Sequence, residues 1–286
     1  MTINKVLVTG SEGRIGRVVL SDLLEHGYDV TRADKNASVG WGAKVVDFED
    51  MGQVVGVMHG HDAVIHLAAI PTPTRHTAEV VFRNNIMSTF HVLEAATILG
   101  IKNVVIASSL SALGFAYMHR HFEPTYIPVD EEHPLLSQDA YGLVKQLGED
   151  LAEGFLRRTP DMSLVSLRFT LVVDDPVREF LAERRDAPAG ENFLGAFATY
   201  VDVRDTAASC RLAMEYNTPG HEAFYICAPN IYLNQPVEDL FATYYPGDYP
   251  IADHIRGNIS PVDCRKAERL LGWKPKYNWD GTELQF

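Results

Sequence analysis

Apolar residues along the chain fall into two recurring patterns, short continuous runs and longer segments with a repeat near 3.6 residues. The first run, Val6 to Val8, reads as a buried strand. It passes through Gly10, Gly13 and Gly16 into a segment where Ile15, Val18, Val19, Leu23 and Leu24 are spaced for a helix. Residues 28–33 read as a second strand ending at Asp34. Val45-Val46 reads as a short third strand ending at Asp47-Phe48. Residues 63–67 form a fourth, followed by Ala68-Ala69. From about 77 to 99, Val80, Val81, Ile86, Phe90, Leu93 and Ala96 carry the helical period, and Gly100 ends it. Residues 103–107 are a fifth strand leading into Ser108-Ser109. A polar loop runs from 114 to 139. A second long helix covers 140–158, with Leu143, Leu147, Leu151 and Phe155 on one stripe, and residues 163–168 are a sixth strand.

Strand alternating with helix predicts right-handed crossovers and a Rossmann-type α/β fold with a doubly wound parallel sheet. In such sheets ligands lie at the carboxyl ends of the strands. Gly10, Asp34, Asp47, Ala68, Ser109 and Phe169 all fall at strand ends and are predicted to ring one crevice. Beyond Arg168 the rhythm breaks. Residues 174–195 are polar, with Pro176, Pro188 and Gly190. A helix at 205–215, a strand at 223–227 and helices at 236–243 and 263–271 follow. The expected division is a dinucleotide-binding unit over 1–170 and a smaller substrate lobe over 171–286. About 200–232 is expected to return to the first unit.

Composition narrows the partners. The 286 residues are 46% hydrophobic and 22% charged, which suits a globular protein with a full core. A net charge of −13 repels nucleic acid and anionic membrane alike. An anionic ligand must therefore be held by local amides and a few basic side chains. Three cysteines without a C-x-x-C pair give neither a disulfide framework nor a zinc signature, and no metal is expected. The chain enters its first strand at once, leaving no room for a leader, and has no apolar run of membrane-spanning length. A reducing, cytoplasmic setting is the expectation. His59/His61 and His119/His121 have ligand-pair spacing but lack a carboxylate cluster, and read as solvated loop residues.

The first glycine turn is the first chemical signal. Glycines permit positive φ and close backbone approach, and helix N-terminal amides point at an anion. Its G-x-x-G-x-x-G spacing departs from G-x-G-x-x-G, so a turn that binds nothing stays open on this stretch alone. Tyr141 and Lys145 supply the second signal, one helical turn apart on the second long helix. With twelve tyrosines and eight lysines, about a third of such a pair is expected by chance. Its position, one element after Ser108-Ser109, gives it weight. A phenol with a pKa near 10 is a poor base, and an adjacent ammonium lowers that value. Tyr141 could then exchange a proton with a substrate hydroxyl while Ser109 steadies the same oxygen.

Taken with these residues, His66-Leu67-Ala68-Ala69, Asn85, Arg168, Tyr200-Val-Asp-Val-Arg-Asp205 and Leu271-Gly-Trp-Lys-Pro275 make the chain resemble the extended short-chain dehydrogenase/reductases. These are the NAD-dependent epimerase/dehydratase family, and the layout is most similar to its uronate dehydrogenase-like members. The resemblance spans nearly the whole chain. It implies a catalytic triad of Ser109, Tyr141 and Lys145, and NAD as cofactor. Gly10, Gly13, Arg14, Ile15 and Gly16 would cradle the pyrophosphate, and Asp34 with Lys35 the adenosine ribose. Asp47-Phe48 would meet the adenine. Leu67, Ala68, Ala69, Asn85 and Ala107 would line the middle, and Phe169 would back the nicotinamide. It also implies a homodimer through the helices at about 77–99 and 140–158.

Asp34 lies eighteen residues after Gly16, near the place of a ribose-binding acid, and a carboxylate there repels a 2′-phosphate. Arg14, Arg32 and Lys35 are near enough to soften that. Sugar-nucleotide epimerases of the family carry Asn where Leu171 stands, and need a longer insert after Arg168. Both departures point to a smaller substrate, with Pro71, Thr72, Ser109 and Ser111 around it. Arg178 is either a partner for a substrate carboxylate or a surface arginine among Asp174, Asp175 and Glu179. The expected activity is oxidation of a hydroxyl on a small sugar, sugar acid or related alcohol. The alternative is an epimerase or dehydratase without net NADH release.

Overall fold

Seven parallel strands form the central sheet in the computed structural model, which describes residues 3–36 and 42–285. They are β1 (Lys5–Thr9), β2 (Asp29–Asp34), β3 (Lys44–Val45), β4 (Ala63–His66), β5 (Asn103–Ser109), β6 (Ser163–Phe169) and β9 (Gly220–Ile226), in the order β3-β2-β1-β4-β5-β6-β9. β4 and β6 are buried throughout, as continuous Val/Ile/Leu runs covered on both faces require. The order reverses between β1 and β4. That is the switch point where doubly wound sheets leave a crevice.

Helices α1 (Arg14–Glu25), α2 (Met51–Met58), α3 (Ala78–Leu99), α4 (Ala140–Leu156) and α7 (Val203–Glu215) cover the sheet. α3 ends where Gly100 takes φ +72°, a left-handed cap. α4 begins where the Asp139 carboxylate accepts the amides of Tyr141 at 2.8 Å and Gly142 at 3.0 Å. α2 falls in a stretch left unassigned by periodicity. It is short and contains Gly52 and Gly56, yet Asp50 caps it through the Gln53 amide.

The buried stripe of α4 differs from the expected one. Tyr141, Val144, Gly148, Ala152 and Phe155 face inward, while Leu143 and Leu147 are each 37% exposed. The 3.6-residue count was right in period but off by one position in phase. Leu143 and Leu147, like Phe82 and Phe90 on the neighbouring α3, remain partly exposed.

Residues 174–195 read in the sequence as a polar stretch where the strand–helix rhythm breaks. That region holds α5 (Asp175–Arg184) and α6 (Gly190–Ala196), flanked by a parallel pair, β7 (Leu171–Val173) with β8 (Tyr200–Asp202). With α8 (Val237–Tyr244) and the 110–133 segment these enclose a separate core of Phe115, Phe193, Phe197, Phe241 and Tyr245. The YVDVRD and LGWKP motifs prove to fasten the C-terminal segment to α7 on the sheet side. Asp205 accepts the amides of Lys276 and Tyr277 at 2.9 and 3.0 Å, and Trp273 Nε1 donates to the Asp205 carbonyl at 2.9 Å, just past α9 (Arg265–Leu271). No helix among the described residues is long and apolar enough to cross a membrane.

Candidate active site

Thr9 closes the switch point from beneath. Its hydroxyl oxygen accepts the amides of Leu67 and Ala68, each at 3.1 Å, and lies 2.8 Å from His66 Nδ1. The two strand ends are thereby held so close that Gly10, at φ +67°, has no room for a side chain. A Cβ there would lie 2.7 Å from the Ala68 nitrogen. At Gly16 it would lie 2.3 Å from the Gly10 carbonyl oxygen. The chain therefore turns sharply enough to aim α1 at the crevice. The first turn of α1 has no side-chain cap at Gly13 and no acidic residue, so its amides remain for an anion from outside. That fits a dinucleotide pyrophosphate.

Two cavities share this turn. One, of about 560 Å³, runs over Gly10, Gly13, Asp34, Lys35, Asp47, Phe48, Ala68 and Ala69. The other, of about 690 Å³, runs from Gly13, Arg14, Ile15 and Gly16 past Leu67, Ala107 and Phe169 to Ser109, Ser111, Tyr141 and Lys145. Gly10, Leu67, Ala69 and Pro71 border both, so the two read as one groove across the strand ends. Thr72 also lines the larger cavity.

Tyr141, Ser109 and Lys145 meet there because α4 sits hard against the turn after β5. A Cβ on Gly142 would lie 2.6 Å from the Ser111 carbonyl oxygen. The Ser109 hydroxyl is near enough to Tyr141 to pull its phenol down, and Ser109 Oγ accepts the Ser111 amide at 3.1 Å. Lys145 Nζ donates to the Ala107 carbonyl at 2.6 Å and lies 5.4 Å from the Tyr141 ring centroid. Burial pushes the phenol up to about 12, although Ser109 pulls the other way. Burial pulls the ammonium down to about 8, and the Glu149 carboxylate resists. The expected lowering of Tyr141 by Lys145 is absent. Lys145 leans on a backbone carbonyl, and desolvation of the phenolate wins.

Two expected contacts are elsewhere. Asn85 lies behind the groove, gripping Ile70 through both its amide and its carbonyl at 2.8 and 3.0 Å, so it shapes the loop after β4. Arg178 is outside the lining. Its guanidinium donates to the buried Asp202 at 2.7 Å and to Asp175 on its own helix. Two carboxylates hold it, which corrects the expected role toward a substrate carboxylate.

Four participants escaped the sequence reading. Tyr117 stands edge-on to Tyr141, with centroids 6.4 Å apart, and its hydroxyl lies 3.5 Å from Thr72 Oγ1. Arg75 and Thr170 also line the larger cavity. Glu149, one turn beyond Lys145, is buried against Arg168 at 3.0 and 2.8 Å and accepts from Ser108 Oγ at 2.6 Å. A carboxylate at the next i+4 step from Tyr141 and Lys145 was the available signal for Glu149. Loop residues such as Tyr117 and Arg75 carry no such spacing.

Comparison with known proteins agrees with this geometry. The sequence profile of the NAD dependent epimerase/dehydratase family matches residues 6–175. UDP-glucose 4-epimerase of Corynebacterium glutamicum is 25% identical over 96% of this chain and 91% of its own length. Uronate dehydrogenase of Pseudomonas putida is 31% identical over 54% of this chain and 56% of its own. Among solved structures, a short-chain dehydrogenase/reductase superfamily protein from Agrobacterium tumefaciens with bound NAD superposes with a TM-score of 0.72 at 25% identity, covering 97% of this chain and 94% of that one. UDP-glucose 4-epimerase from Bifidobacterium longum gives 0.73 at 20% identity over 97% and 95%. The chain belongs to the NAD-dependent epimerase/dehydratase family, the extended branch of the short-chain dehydrogenase/reductases.

Proposed function

We propose that this enzyme oxidises a hydroxyl of a small sugar, sugar acid or related alcohol with NAD, using Ser109, Tyr141 and Lys145. The observation that carries the reading is the convergence of those three side chains on the cavity that also receives the uncapped N-terminus of α1. NAD, when bound, supplies the hydride acceptor and a positive ring charge. The glycine turn would hold its pyrophosphate and Asp34 its ribose. Ser109 holds the substrate oxygen by donating to it. Tyr141 takes the hydroxyl proton at its phenolic oxygen. The Lys145 ammonium and the positive ring of bound NAD would together have to draw the phenol down from about 12 for that step, with Lys145 exchanging its Ala107 contact for the cofactor ribose.

NAD rather than NADP follows from the charges around Asp34. Arg14 is tied to Asp174 at 3.2 Å, Arg32 to Glu12, and Lys35 to Asp47 and Glu49 at 3.4 and 3.7 Å. None is left to meet a 2′-phosphate. A small substrate is favoured by the apolar wall of Leu110, Ala116, Leu171 and Val172 opposite the triad. We also propose pairing of two copies through α3 and α4, because these neighbouring helices leave the large apolar side chains Phe82, Phe90, Leu143 and Leu147 partly exposed.

The second reading, an epimerase, is favoured by the end-to-end match to UDP-glucose 4-epimerase. Incubation with NAD and a panel of uronic acids, aldoses and sugar nucleotides separates the two by NADH absorbance and product NMR. NADH formed from a uronate or free sugar is the expected result. A converted sugar nucleotide without NADH would replace the first reading with the second.

A further inference from the structure

Away from the groove, a cavity of about 500 Å³ opens between the end of β9 and the segment entering α9. Two of the three cysteines, Cys227 and Cys264, line it. Cys210 is buried elsewhere, in the core against the sheet. Cys227 follows β9 directly and is 1% exposed, whereas Cys264 is half-buried at the N-cap of α9. The two thiols are neighbours in that cavity, and each shifts the titration of the other.

The surroundings of the two sulfurs are unequal. Cys227 Sγ lies 3.3 Å from Ser260 Oγ. That oxygen accepts the Val262 amide at 3.2 Å, which leaves its own proton for the sulfur. The Thr170 hydroxyl reaches the same sulfur. When protonated, Cys227 donates to the Ala228 carbonyl at 3.2 Å. Burial works against a thiolate at Cys227, but its polar neighbours, Cys264 and the Ser260 hydroxyl among them, outweigh it and hold this thiol below its ordinary value. Burial and the neighbouring Cys227 sulfur hold Cys264 well above. The Ser260 hydroxyl, free to donate to Cys227 Sγ, marks that sulfur as the nucleophile and Cys264 as the resolving thiol, with an open cavity leading to both.

We propose that Cys227 and Cys264 form a peroxide-sensitive dithiol that closes reversibly to a disulfide. Hydrogen peroxide is the oxidant. The Cys227 thiolate attacks one peroxide oxygen, the O–O bond breaks, and hydroxide leaves, giving a sulfenic acid. Cys264 sulfur then attacks the Cys227 sulfur. The S–O bond breaks, the sulfenic oxygen leaves as water with the Cys264 proton, and the S–S bond forms. Two thiols are oxidised and one peroxide is reduced to two waters. An external dithiol reverses the change.

The bond would be felt in the catalytic groove. Thr170 lies between Phe169 and Leu171, and all three line the 690 Å³ cavity. Its hydroxyl also donates to the Ile226 carbonyl at 3.2 Å, one residue before Cys227. Disulfide formation takes away the sulfur's charge and its contact with Thr170, so the wall behind the proposed nicotinamide site shifts. This coupling rests on the cofactor reading of that cavity.

Treatment of the reduced, folded protein with stoichiometric hydrogen peroxide, followed by intact mass and peptide mapping, tests the site. The expected result is loss of two hydrogens, a Cys227–Cys264 cross-link and a free Cys210. Cys264→Ser should instead gain one oxygen at Cys227, trapped by dimedone. An unchanged mass, or oxygens accumulating on wild type without a cross-link, overturns the proposal. NADH affinity by fluorescence should be roughly fivefold or more weaker in the cross-linked protein and recover with dithiothreitol. An unchanged affinity in cross-linked protein overturns the coupling to the groove. Reduced protein that fails to bind NADH would overturn the cofactor reading and leave the dithiol result standing.

Discussion

The two walls of the catalytic groove are held by different forces. The sheet wall is built at the ends of β1, β4 and β5, whose backbones are locked in register and pinned by Thr9. The opposite wall, from Leu110 to Tyr117 and from Leu171 to Ala196, hangs on an aromatic cluster. There Phe115, Phe197 and Tyr245 pack tilted and edge-to-face with centroids 5.0 to 5.7 Å apart. Ladder hydrogen bonds fix backbone positions whatever the outer side chains are. An aromatic cluster fixes positions only as well as its rings fit. The sheet wall should therefore set the chemistry and the cofactor, and the aromatic wall the substrate.

The largest expected effect lies on the sheet wall. Tyr141→Phe removes the proposed proton acceptor but keeps the ring against Tyr117. It should lower kcat by roughly 10²–10⁴. NADH affinity by fluorescence titration should barely move. Turnover within a few-fold of wild type would show that another group handles the proton.

Next in size is the support beneath the triad. Arg168 and Glu149 are 5% and 7% exposed, and Arg168 supplies two of the three hydrogen bonds to that carboxylate. Arg168→Met strands the charge and should cost about 3–5 kcal/mol in urea denaturation. Adding Glu149→Leu should return much of it, because the stranded charge and not the lost packing is the main cost. A double variant no better than the single would contradict that account.

The aromatic wall gives a sharper contrast. Phe193→Ala empties a fully buried site in the cluster and should cost about 3 kcal/mol. If the two walls are separable, NADH affinity stays near wild type while KM for the substrate rises. Equal losses of both would mean that the aromatic cluster also positions the cofactor.

The same division explains what the sequence disclosed. Strand ends were readable because buried parallel strands are continuous apolar runs, and Gly10, Asp34, Ser109 and Phe169 follow directly from where those runs stop. Tyr141 and Lys145 were readable because i, i+4 spacing survives any small error in phase. The phase of α4 itself was misjudged, since leucines on an exposed face look like core. α5 was hidden because Pro176 reads as a breaker, whereas it stands in the first turn of a helix capped by Asp174, where proline is welcome. Arg178 was ambiguous for a different reason. Its partner Asp202 lies twenty-four residues away on another strand, and no local pattern records that meeting.

The smallest effect tests the seam of the sheet wall itself. His66 is fully enclosed between β1 and β4, and burial with the nearby Lys145 charge pulls it down to about 3. Its Nδ1 faces Thr9, while Nε2 is buried without a partner, so a second ring proton would have nothing to bind. In the unfolded chain the same ring titrates near 6.5. Above that value neither state binds the proton and the folded protein has its full stability. As pH falls from 6.5 toward 3 the unfolded state gains a proton that the folded state refuses. The loss should reach about 2 kcal/mol between pH 7 and pH 5. His61 and His133 are lowered by burial in the same direction, so acid sensitivity will not come from His66 alone. His66→Asn keeps a short polar group toward Thr9 and cannot titrate. Its stability, measured against wild type from pH 7 to pH 5, should fall by about 2 kcal/mol less. Parallel curves for the two proteins would show that His66 is not the acid-sensitive group and move the loss to His61 or His133.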